Sequence, residues 1–237
     1  MKKKNIYARY IKRILDFVLS LLAIIVLSPV LLAVAILVRV KLGTPVIFKQ
    51  QRPGKDEKIF TMYKFRSMTD ARDENGQLLP DDIRLTEFGK KLRSTSLDEL
   101  PELFNILKGD MSIIGPRPQL VRDMVFMTTE QRERHSVLPG LSGLAQIRGR
   151  NAISWEDKLS SDIEYISNIT FGNDVKIVWL TVIKAFIKQE GITEEGMATA
   201  EDLGDYLLKN GKINSEEYTQ KQQKAMEYLT NYKNGRK

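Results

Sequence analysis

An uncharged apolar run from Phe17 to Val38 limits what this chain can fold into. About 20 apolar residues in a helix, each rising about 1.5 Å, are enough to cross the ~30 Å hydrocarbon core of a bilayer. Pro29 lies near the middle of the run. Because proline lacks a backbone N–H and clashes with the preceding turn, it predicts a bend. The Ser28 hydroxyl is placed to bond back to the Ile24 carbonyl and support that bend.

Basic residues flank this run on both sides. Those before it are Lys2, Lys3, Lys4, Arg9, Lys12 and Arg13, and those after it are Arg39, Lys41, Lys49 and Arg52. Positive charge marks the cytoplasmic side of a membrane segment, and here it marks both ends. We therefore predict a re-entrant segment, a helix-break-helix that enters the membrane, bends at Ser28-Pro29 and leaves through the same face.

Two other interpretations of the run stay open. A single transmembrane pass satisfies the length but leaves Pro29 and the charge on both sides unexplained. A secretory signal peptide is suggested by Ala33-Val34-Ala35, which resembles a cleavage site. Against the signal peptide, the run is long for a signal-peptide hydrophobic region, and Arg39 and Lys41 follow it closely.

The composition excludes several kinds of catalytic site. The chain has no cysteine, so it has no disulfide, no thiolate metal site and no cysteine nucleophile. Its one histidine, His135, rules out a multi-histidine metal site and lies in a polar stretch, so we expect it to be exposed to solvent. The net charge of +7 indicates an anionic partner, and nucleic acid, anionic lipid and a phosphorylated small molecule all fit.

The sequence divides into three segments. Residues 1–40 contain the basic arm and the membrane segment, residues 41–196 a candidate catalytic domain, and residues 197–237 a polar helical hairpin that we interpret as an appendage. We predict an α-rich α+β fold with short and amphipathic helices at the membrane surface. Two strands, at 46–51 and 59–66, form a hairpin, and the predicted helices cover residues 86–92, 100–107, 121–137, 155–168, 174–189, 203–209 and 215–232.

The helix predicted over residues 174–189 carries a broad apolar face. Its members are Val175, Val178, Trp179, Val182, Ile183, Phe186 and Ile187. A stripe of this kind either packs into a core or lies on a membrane surface, and the sequence leaves both interpretations open.

Two adjacent carboxylates, Asp98 and Glu99, are the first candidates for chemistry. Ser96 with Glu99 three residues later has the pattern of a capping box, which predicts that both carboxylates lie in a first helical turn. Acidic residues in that position commonly do no more than complement the helix dipole. A functional role is favoured because Arg93 precedes the pair, Pro101 follows it closely, and the turn-like segments of the chain are rich in arginine.

Six cationic residues complete the candidate site, and most lie at strand ends or beside glycine or proline. They are Lys64, Arg66, Arg93, Arg117, Arg148 and Arg150. Arginine in a rigid backbone suits bidentate recognition of phosphate. A carboxylate pair among such cations is what a metal-assisted phosphoryl transfer needs, with one carboxylate as the nucleophile. A charged surface without catalytic activity is the alternative.

Several short motifs occur in an order that resembles one known family. They are Lys12-Arg13-Ile14-Leu15-Asp16, Ser28-Pro29, Phe48-Lys49-Gln50-Gln51-Arg52-Pro53-Gly54, Tyr63-Lys64-Phe65-Arg66-Ser67-Met68, Leu97-Asp98-Glu99-Leu100-Pro101-Glu102-Leu103, Lys108-Gly109-Asp110-Met111-Ser112, Gly115-Pro116-Arg117-Pro118 and Leu138-Pro139-Gly140-Leu141-Ser142-Gly143. This ordered set resembles the bacterial sugar transferases, also called monotopic phosphoglycosyl transferases. The resemblance extends from about Lys12 to Gly196 and is closest to the short members of the family.

The resemblance implies transfer of a phospho-sugar from a UDP-sugar to undecaprenyl phosphate, a polyprenyl phosphate, on the cytoplasmic face of the bacterial inner membrane. It implies that Asp98 is the nucleophile, that UMP is released, and that Asp98 and Glu99 hold Mg²⁺. The six cations become candidate phosphate and nucleotide contacts, and Ser28-Pro29 becomes the break in the membrane helix. Glu102 departs from the family pattern, since many members have glutamine there.

The expected partners are therefore a UDP-sugar, polyprenyl phosphate and an anionic phospholipid bilayer, with the oligomeric state open and a homodimer one alternative. A second class of function is a membrane-tethered basic protein that binds nucleic acid or anionic lipid without catalysis. That class explains the charge but not the carboxylate pair, and the sequence has no nucleic-acid signature such as interleaved aromatic residues. We therefore predict no nucleic-acid partner. The sequence does not specify the sugar.

Overall fold

The computed structural model describes residues 5–149, 153–184 and 201–235. The helices described are α1 (Lys12–Leu42), α2 (Asp81–Arg84), α3 (Glu87–Ser94), α4 (Glu102–Lys108), α5 (Val121–Met124), α6 (Thr129–Arg132), α7 (Leu144–Arg148), α8 (Trp155–Ser167), α9 (Phe171–Ile183), α10 (Leu203–Lys209) and α11 (Ser215–Asn234). The strands are β1 (Ile47–Pro53), β2 (Ile59–Phe65), β3 (Ser112–Ile114) and β4 (Gly140–Ser142). The protein is helix-rich, with a long apolar N-terminal helix and a small antiparallel hairpin, as predicted.

Helix α1 packs against the rest of the protein along one stripe. Asp16, Ser20, Val34 and Val38 are buried on it, and Leu27 lies between them against a core cluster. These positions are spaced by four or seven residues, about one or two helical turns, which places them on one face of the helix. The remaining faces of the apolar run are largely exposed. By length and composition, the helical segment Tyr7–Leu42 is the one among the described residues that could cross a membrane.

The backbone of α1 remains helical through Ser28 and Pro29, so the predicted break in the helix is not seen. The Ser28 hydroxyl donates to the carbonyl of Ile25 at 2.8 Å, not to the carbonyl of Ile24 that we expected. In a regular helix the Ile25 carbonyl would accept from residue 29, and Pro29 has no N–H to give. Ser28 therefore satisfies the acceptor that the proline leaves without a partner.

Two side chains at the start of α1 fix it to the middle of the chain. Arg13 donates to the carbonyls of Ile106 and Leu107, at 2.7 and 3.1 Å, in the last turn of α4. Asp16 accepts from the backbone N–H of Ile113 at 3.0 Å. The last carbonyls of a helix have no regular partner inside it, so the hydrogen bonds from Arg13 also cap the C-terminal end of α4.

The predicted hairpin is confirmed by strands β1 and β2, which pair antiparallel from Ile47 opposite Phe65 to Pro53 opposite Ile59. Phe60 and Met62 face a core cluster shared with α4 and α1. The period of two along the strand places both side chains on one side of the hairpin. The hairpin is thereby held against the helix that follows the carboxylate pair.

The single helix predicted over residues 121–137 is wrong, because three short elements occupy it. They are α5, α6 and a 3₁₀ turn at Glu133–Ser136. Thr128 starts a new helix through a capping box with Gln131, in which each side chain bonds the other's backbone N–H. His135, expected to be exposed, is only 5% exposed and lies 3.6 Å from Glu57. Its burial lowers its pKa to about 4.

A short parallel pair of strands, β3 and β4, was not predicted. Ser112 pairs with Gly140 and Ile114 with Ser142. The backbones approach so closely here that a Cβ on Gly140 would lie 2.1 Å from the nitrogen of Gly115. Glycine is required at such a crossing because any side chain would collide with the neighbouring backbone. The crossing fixes the segment that continues into Arg117.

The predicted C-terminal helical hairpin is confirmed as α10 and α11, and Asn214 caps α11 by accepting from the backbone N–H of Glu217. Leu203 and Ala225 are buried in a cluster that also contains Met124 and Trp155. This hairpin therefore shares a hydrophobic core with α5 and α8, which the sequence did not indicate.

Helix α9 turns most of its apolar stripe outward. Val175, Val178, Trp179 and Val182 are exposed, and Trp179 is 64% exposed. Within the described part of the stripe, core packing is thus not the role of these side chains. Phe186 and Ile187 lie outside the described residues.

Candidate active site

The carboxylate pair lies in a tight turn between α3 and α4. Ser96 has left-handed backbone angles, φ 55° and ψ 17°, and leads into a 3₁₀ turn at Leu97–Glu99. Its side chain does not cap this turn, so the predicted capping box is wrong. Asp98 and Glu99 are 7% and 9% exposed, so they are not solvated residues of a helix start. Non-glycine residues in the left-handed region are uncommon, and they occur often at functional sites.

Asn105, on α4, holds this helix against strand β2. Its Oδ1 accepts from the backbone N–H of Tyr63 at 3.0 Å, and its Nδ2 donates to the carbonyl of Thr61 at 2.7 Å. Asn105 is completely buried. Because the next residue of β2 is Lys64, this contact sets the position of the Lys64 side chain relative to the carboxylates.

Glu99 is held by two cations. Its Oε1 accepts from Lys64 Nζ at 2.8 Å and from Arg117 Nη2 at 2.6 Å. Burial alone would raise the pKa of Glu99, but Arg117 and Lys64 lower it well below the ordinary range. Glu99 is therefore a permanent anion. Lys64 also lies 3.2 Å from Glu102, the first residue of α4, and burial raises the pKa of the Glu102 carboxyl.

Asp98 differs from its neighbour in its contacts and in its pKa. Its Oδ1 is buried and has no hydrogen-bond partner among the described residues. Burial, followed by the charge of Glu99, raises the pKa of Asp98 to about 6, against the opposing effects of Lys64, Arg93 and Arg117. Two adjacent carboxylates with pKa values pushed in opposite directions commonly have different chemical roles. Here Glu99 is the fixed anion, and Asp98 has an oxygen available for another partner.

Two further predicted cations line the same cavity as Asp98 and Glu99. Arg93 donates from Nε to the hydroxyl of Ser67 at 2.9 Å. Arg66 donates to the carbonyl of Thr44 and to Asp70, both at 2.8 Å. Together with Lys64 and Arg117, these residues bring four cations to one end of the cavity, which we call the basic end, where they lie among the carboxylates Asp70, Asp98, Glu99 and Glu102.

The structure places one of the two remaining predicted cations away from this cavity and does not describe the other. Arg148 pairs through two nitrogens with Glu164, at 2.6 and 2.7 Å, and does not line the cavity. Arg150 lies outside the described residues. The predicted phosphate contacts of both residues stay predictions.

The cavity has a volume of about 510 Å³ and joins side chains from distant parts of the sequence. Sequence reasoning missed Arg52, Gln146 and Asp162, which also line it. Arg52 lies beside a proline, the same signal that drew attention to Arg117, and burial lowers its pKa to about 10. No comparable signal marks Gln146 or Asp162, which lie on helices among ordinary polar residues.

The acidic residues of the site fit Mg²⁺ as a partial set of ligands. Among the described residues, no three histidine, cysteine, aspartate or glutamate side chains form a group that could hold a metal ion. Mg²⁺ usually takes one or two carboxylates and completes its octahedron with water and substrate phosphate. The unpartnered Oδ1 of Asp98, next to the ionised Glu99, provides hard oxygen ligands of this kind.

Comparison with known proteins accords with this geometry. A sequence model of the bacterial sugar transferase family matches residues 7–188. The chain belongs to this family. A Bacillus subtilis (strain 168) relative, named as the uncharacterized sugar transferase EpsL, is 49% identical over 191 residues, which cover 81% of this chain and 94% of that protein.

Two other bacterial sugar transferase relatives differ in length. The exopolysaccharide production protein PSS of Rhizobium leguminosarum bv. phaseoli is 38% identical over 195 residues, or 76% of this chain and 98% of that protein. A Klebsiella pneumoniae protein, named UDP-glucose:undecaprenyl-phosphate glucose-1-phosphate transferase, is 42% identical over 188 residues, or 75% of this chain and 40% of that longer protein. The family match contains the carboxylate pair and ends before the α10–α11 hairpin.

Proposed function

We propose that this protein transfers a phospho-sugar from a UDP-sugar to undecaprenyl phosphate, releasing UMP and forming an undecaprenyl-diphosphate sugar. The observation that carries the proposal is the buried, unpartnered Oδ1 of Asp98 beside a Glu99 held by Lys64 and Arg117. An available carboxylate oxygen in a basic cavity suits attack on phosphorus. The names of relatives, such as that of the Klebsiella pneumoniae protein, support the donor and acceptor classes.

The reaction has two displacements at one phosphorus atom. A carboxylate oxygen of Asp98 attacks the phosphorus that bears the sugar, the bond to the bridging oxygen breaks, and UMP leaves with that electron pair. A phosphate oxygen of undecaprenyl phosphate then attacks the same phosphorus and displaces the Asp98 carboxylate. Both steps leave Asp98 as it began, so the enzyme is regenerated without any other reactant.

Cations of the cavity stabilise the charge that develops on the phosphate oxygens. The Arg117 side chain is 36% exposed, so it can reach a ligand while it bonds Glu99. Lys64 is less exposed and is oriented by both Glu99 and Glu102. Fixed positive charges aimed at a transferring phosphoryl group are a principal source of catalysis in this chemistry. Arg93, close enough to lower the pKa of Asp98, also favours the ionised nucleophile.

Asp98 and Glu99 are the residues that would hold Mg²⁺, and the bound ion would neutralise negative charge on the diphosphate of the donor. Lys64 and Arg117 keep Glu99 ionised, which preserves it as a ligand.

We also propose that α1 is the re-entrant membrane segment, bent at Ser28-Pro29 when it lies in lipid, at the cytoplasmic face of the inner membrane. Side chains on both sides of Pro29 support this topology, because Asp16 and Val38 both contact the same folded domain. A perpendicular crossing would bring that domain into the bilayer with the helix. Exposed apolar residues of α9, including Trp179, suit contact with the same surface.

Single cysteines test this topology cleanly, because the chain has none. Asn5→Cys and Lys55→Cys should both react with an impermeant reagent only from the cytoplasmic side. Labelling of Asn5→Cys from the periplasm, with Lys55→Cys labelled from the cytoplasm, would show a full crossing. Replacing Ser28 and Pro29 by alanine should shift some molecules toward that crossing, since the bend loses its cause.

Intact-protein mass tests the chemistry. Wild type incubated with UDP-sugar and no lipid acceptor should gain one phospho-sugar, located on the peptide that contains Asp98. Asp98→Asn keeps the shape but removes the attacking charge, so it should gain nothing. Asp56→Asn is a matched control, because Asp56 is exposed, lies outside the cavity and has a left-handed backbone that asparagine tolerates. An adduct that persists in Asp98→Asn would show that another residue is the nucleophile.

A further inference from the structure

The cavity continues beyond the basic end toward the C-terminal hairpin, where another set of polar side chains lines it. We call this part the hairpin-side subsite and define it by Gln146, Trp155, Lys158, Asp162 and Asp202. The displacement steps above use none of these residues. Trp155, Lys158 and Asp162 share one face of α8, at spacings of three and four residues.

Gln146 is the most informative member of the hairpin-side subsite. It is 7% exposed, yet neither Oε1 nor Nε2 has a hydrogen-bond partner within the described residues. Asp162 shows the same feature on one oxygen. Its Oδ2 accepts from Arg134 at 2.6 and 2.9 Å, while its buried Oδ1 has no partner in the described structure. Buried polar groups are nearly always paired, so such groups in a cavity wall indicate a polar ligand.

The two acidic residues of the subsite are each paired with an arginine. Asp162 pairs with Arg134, and Asp202 pairs with Arg122 at 2.5 Å. The unpartnered atoms are Gln146 Oε1 and Asp162 Oδ1, which are acceptors, and Gln146 Nε2, which is a donor. A neutral ligand with several hydroxyl groups matches this set, because each hydroxyl both donates and accepts. Lys158 is the one cation among the residues that define the subsite, so a diphosphate would find less positive charge here than beside Lys64, Arg66, Arg93 and Arg117.

The C-terminal hairpin closes this part of the cavity. The backbone carbonyl of Glu201 accepts from Trp155 Nε1 at 3.1 Å, and the N–H of Leu203 donates to Asp123 at 3.0 Å. The family match ends at residue 188, before this hairpin begins. Asp202 is the member of the subsite outside the family match, and a residue there is better suited to the sugar, which differs among donors, than to the uridine that all UDP-sugars share. Gln146 lies inside the match and is assigned on its unpartnered amide.

We propose that the hairpin-side subsite binds the sugar ring of the donor through its hydroxyl groups, with Gln146 as a residue that determines which sugar is used. This inference rests on the proposed function. The alternative ligand for Gln146 is the uracil base, whose adjacent N–H and carbonyl also match an amide.

The test compares Gln146→Met, which keeps the length of the side chain but removes its hydrogen bonds, with wild type. Asp202→Asn is a second variant, which keeps the shape of the side chain and removes its charge. Gln220→Met, on the exposed face of α11, is the matched control. The measurements are kcat/KM for UDP-glucose, UDP-galactose, UDP-N-acetylglucosamine and UDP-N-acetylgalactosamine, and the inhibition constant of UMP, which has the uracil but no sugar.

We expect Gln146→Met to lower kcat/KM for the best wild-type donor by on the order of 10-fold and for the other donors by less, so that selectivity falls. The UMP inhibition constant should change less than about twofold. Asp202→Asn should also reduce selectivity, and the control should not.

Three results would overturn the inference. Equal losses on all four donors together with weaker inhibition by UMP would assign Gln146 to the base. Equal losses, or no losses, with unchanged inhibition would show that the side chain does not recognise the sugar. Absence of turnover by wild type with every donor would instead refute the proposed function, and this inference with it.

Discussion

The protonation of Asp98 should set the pH dependence of the first half-reaction, the formation of the phospho-sugar adduct from UDP-sugar without lipid. Burial and the charge of Glu99 raise the pKa of Asp98 to about 6. Only the ionised carboxylate attacks phosphorus, so at limiting Mg²⁺ the rate should rise with pH through this value. Saturating Mg²⁺ would favour the ionised form of Asp98 and should move the rise to lower pH. An unperturbed aspartate, with a pKa of about 4, would remain ionised throughout this range.

The expected magnitude follows from the ionised fraction. With a pKa of about 6, roughly nine-tenths of Asp98 is ionised at pH 7 and about one-tenth at pH 5, so the rate of adduct formation should fall about 10-fold between them. An aspartate at its ordinary pKa would lose only about a tenth of its rate over the same interval. The half-reaction excludes the lipid phosphate, which also titrates near pH 6. Glu102, whose pKa burial raises to about 7, lines the same cavity, so a second measurement is needed to assign the midpoint to Asp98.

Quenched-flow sampling with intact-protein mass gives this rate directly. Arg93→Gln provides a second measurement, since Arg93 lowers the pKa of Asp98 and its removal should move the midpoint to higher pH. Arg72→Gln is the matched control, because Arg72 is exposed and lies outside the cavity lining. A rate independent of pH between 5 and 7, or a lower midpoint in Arg93→Gln, would refute the assignment of the titrating group.

Two other predictions concern the metal and the scaffold. EDTA should abolish turnover and added Mg²⁺ should restore it, since the hard oxygens of Asp98 and Glu99 favour this ion; full activity in metal-free buffer would contradict that role. Asn105→Ala should lower the free energy of unfolding by on the order of 2 kcal/mol, because the N–H of Tyr63 and the carbonyl of Thr61 lose their partner. Denaturant unfolding would measure this, with the exposed Asn210→Ala as control; an equal effect of both changes would contradict the reasoning.

Local features of the sequence were enough to predict much of the framework. The apolar run, the hairpin of two strands and the two helices near the C-terminus each depend on patterns among neighbouring residues, and each is found in the structure. The adjacent carboxylates could likewise be singled out, because Asp98 and Glu99 stand together in the chain. The long helix predicted across Thr128 failed, since a capping box there competes with helix continuation.

Tertiary structure alone decided what each side chain of the site contacts. Glu99 meets Lys64 and Arg117, which lie 35 and 18 residues away, only because Asn105 joins α4 to β2 and the β3–β4 crossing positions the following segment. Arg148 has the same sequence signal as Arg117, yet it pairs with Glu164. Burial raises the pKa of both Asp98 and Glu99, and the contacts of Arg117 and Lys64 with Glu99 separate the two values, because these contacts depend on the surrounding fold and not on neighbours in the chain.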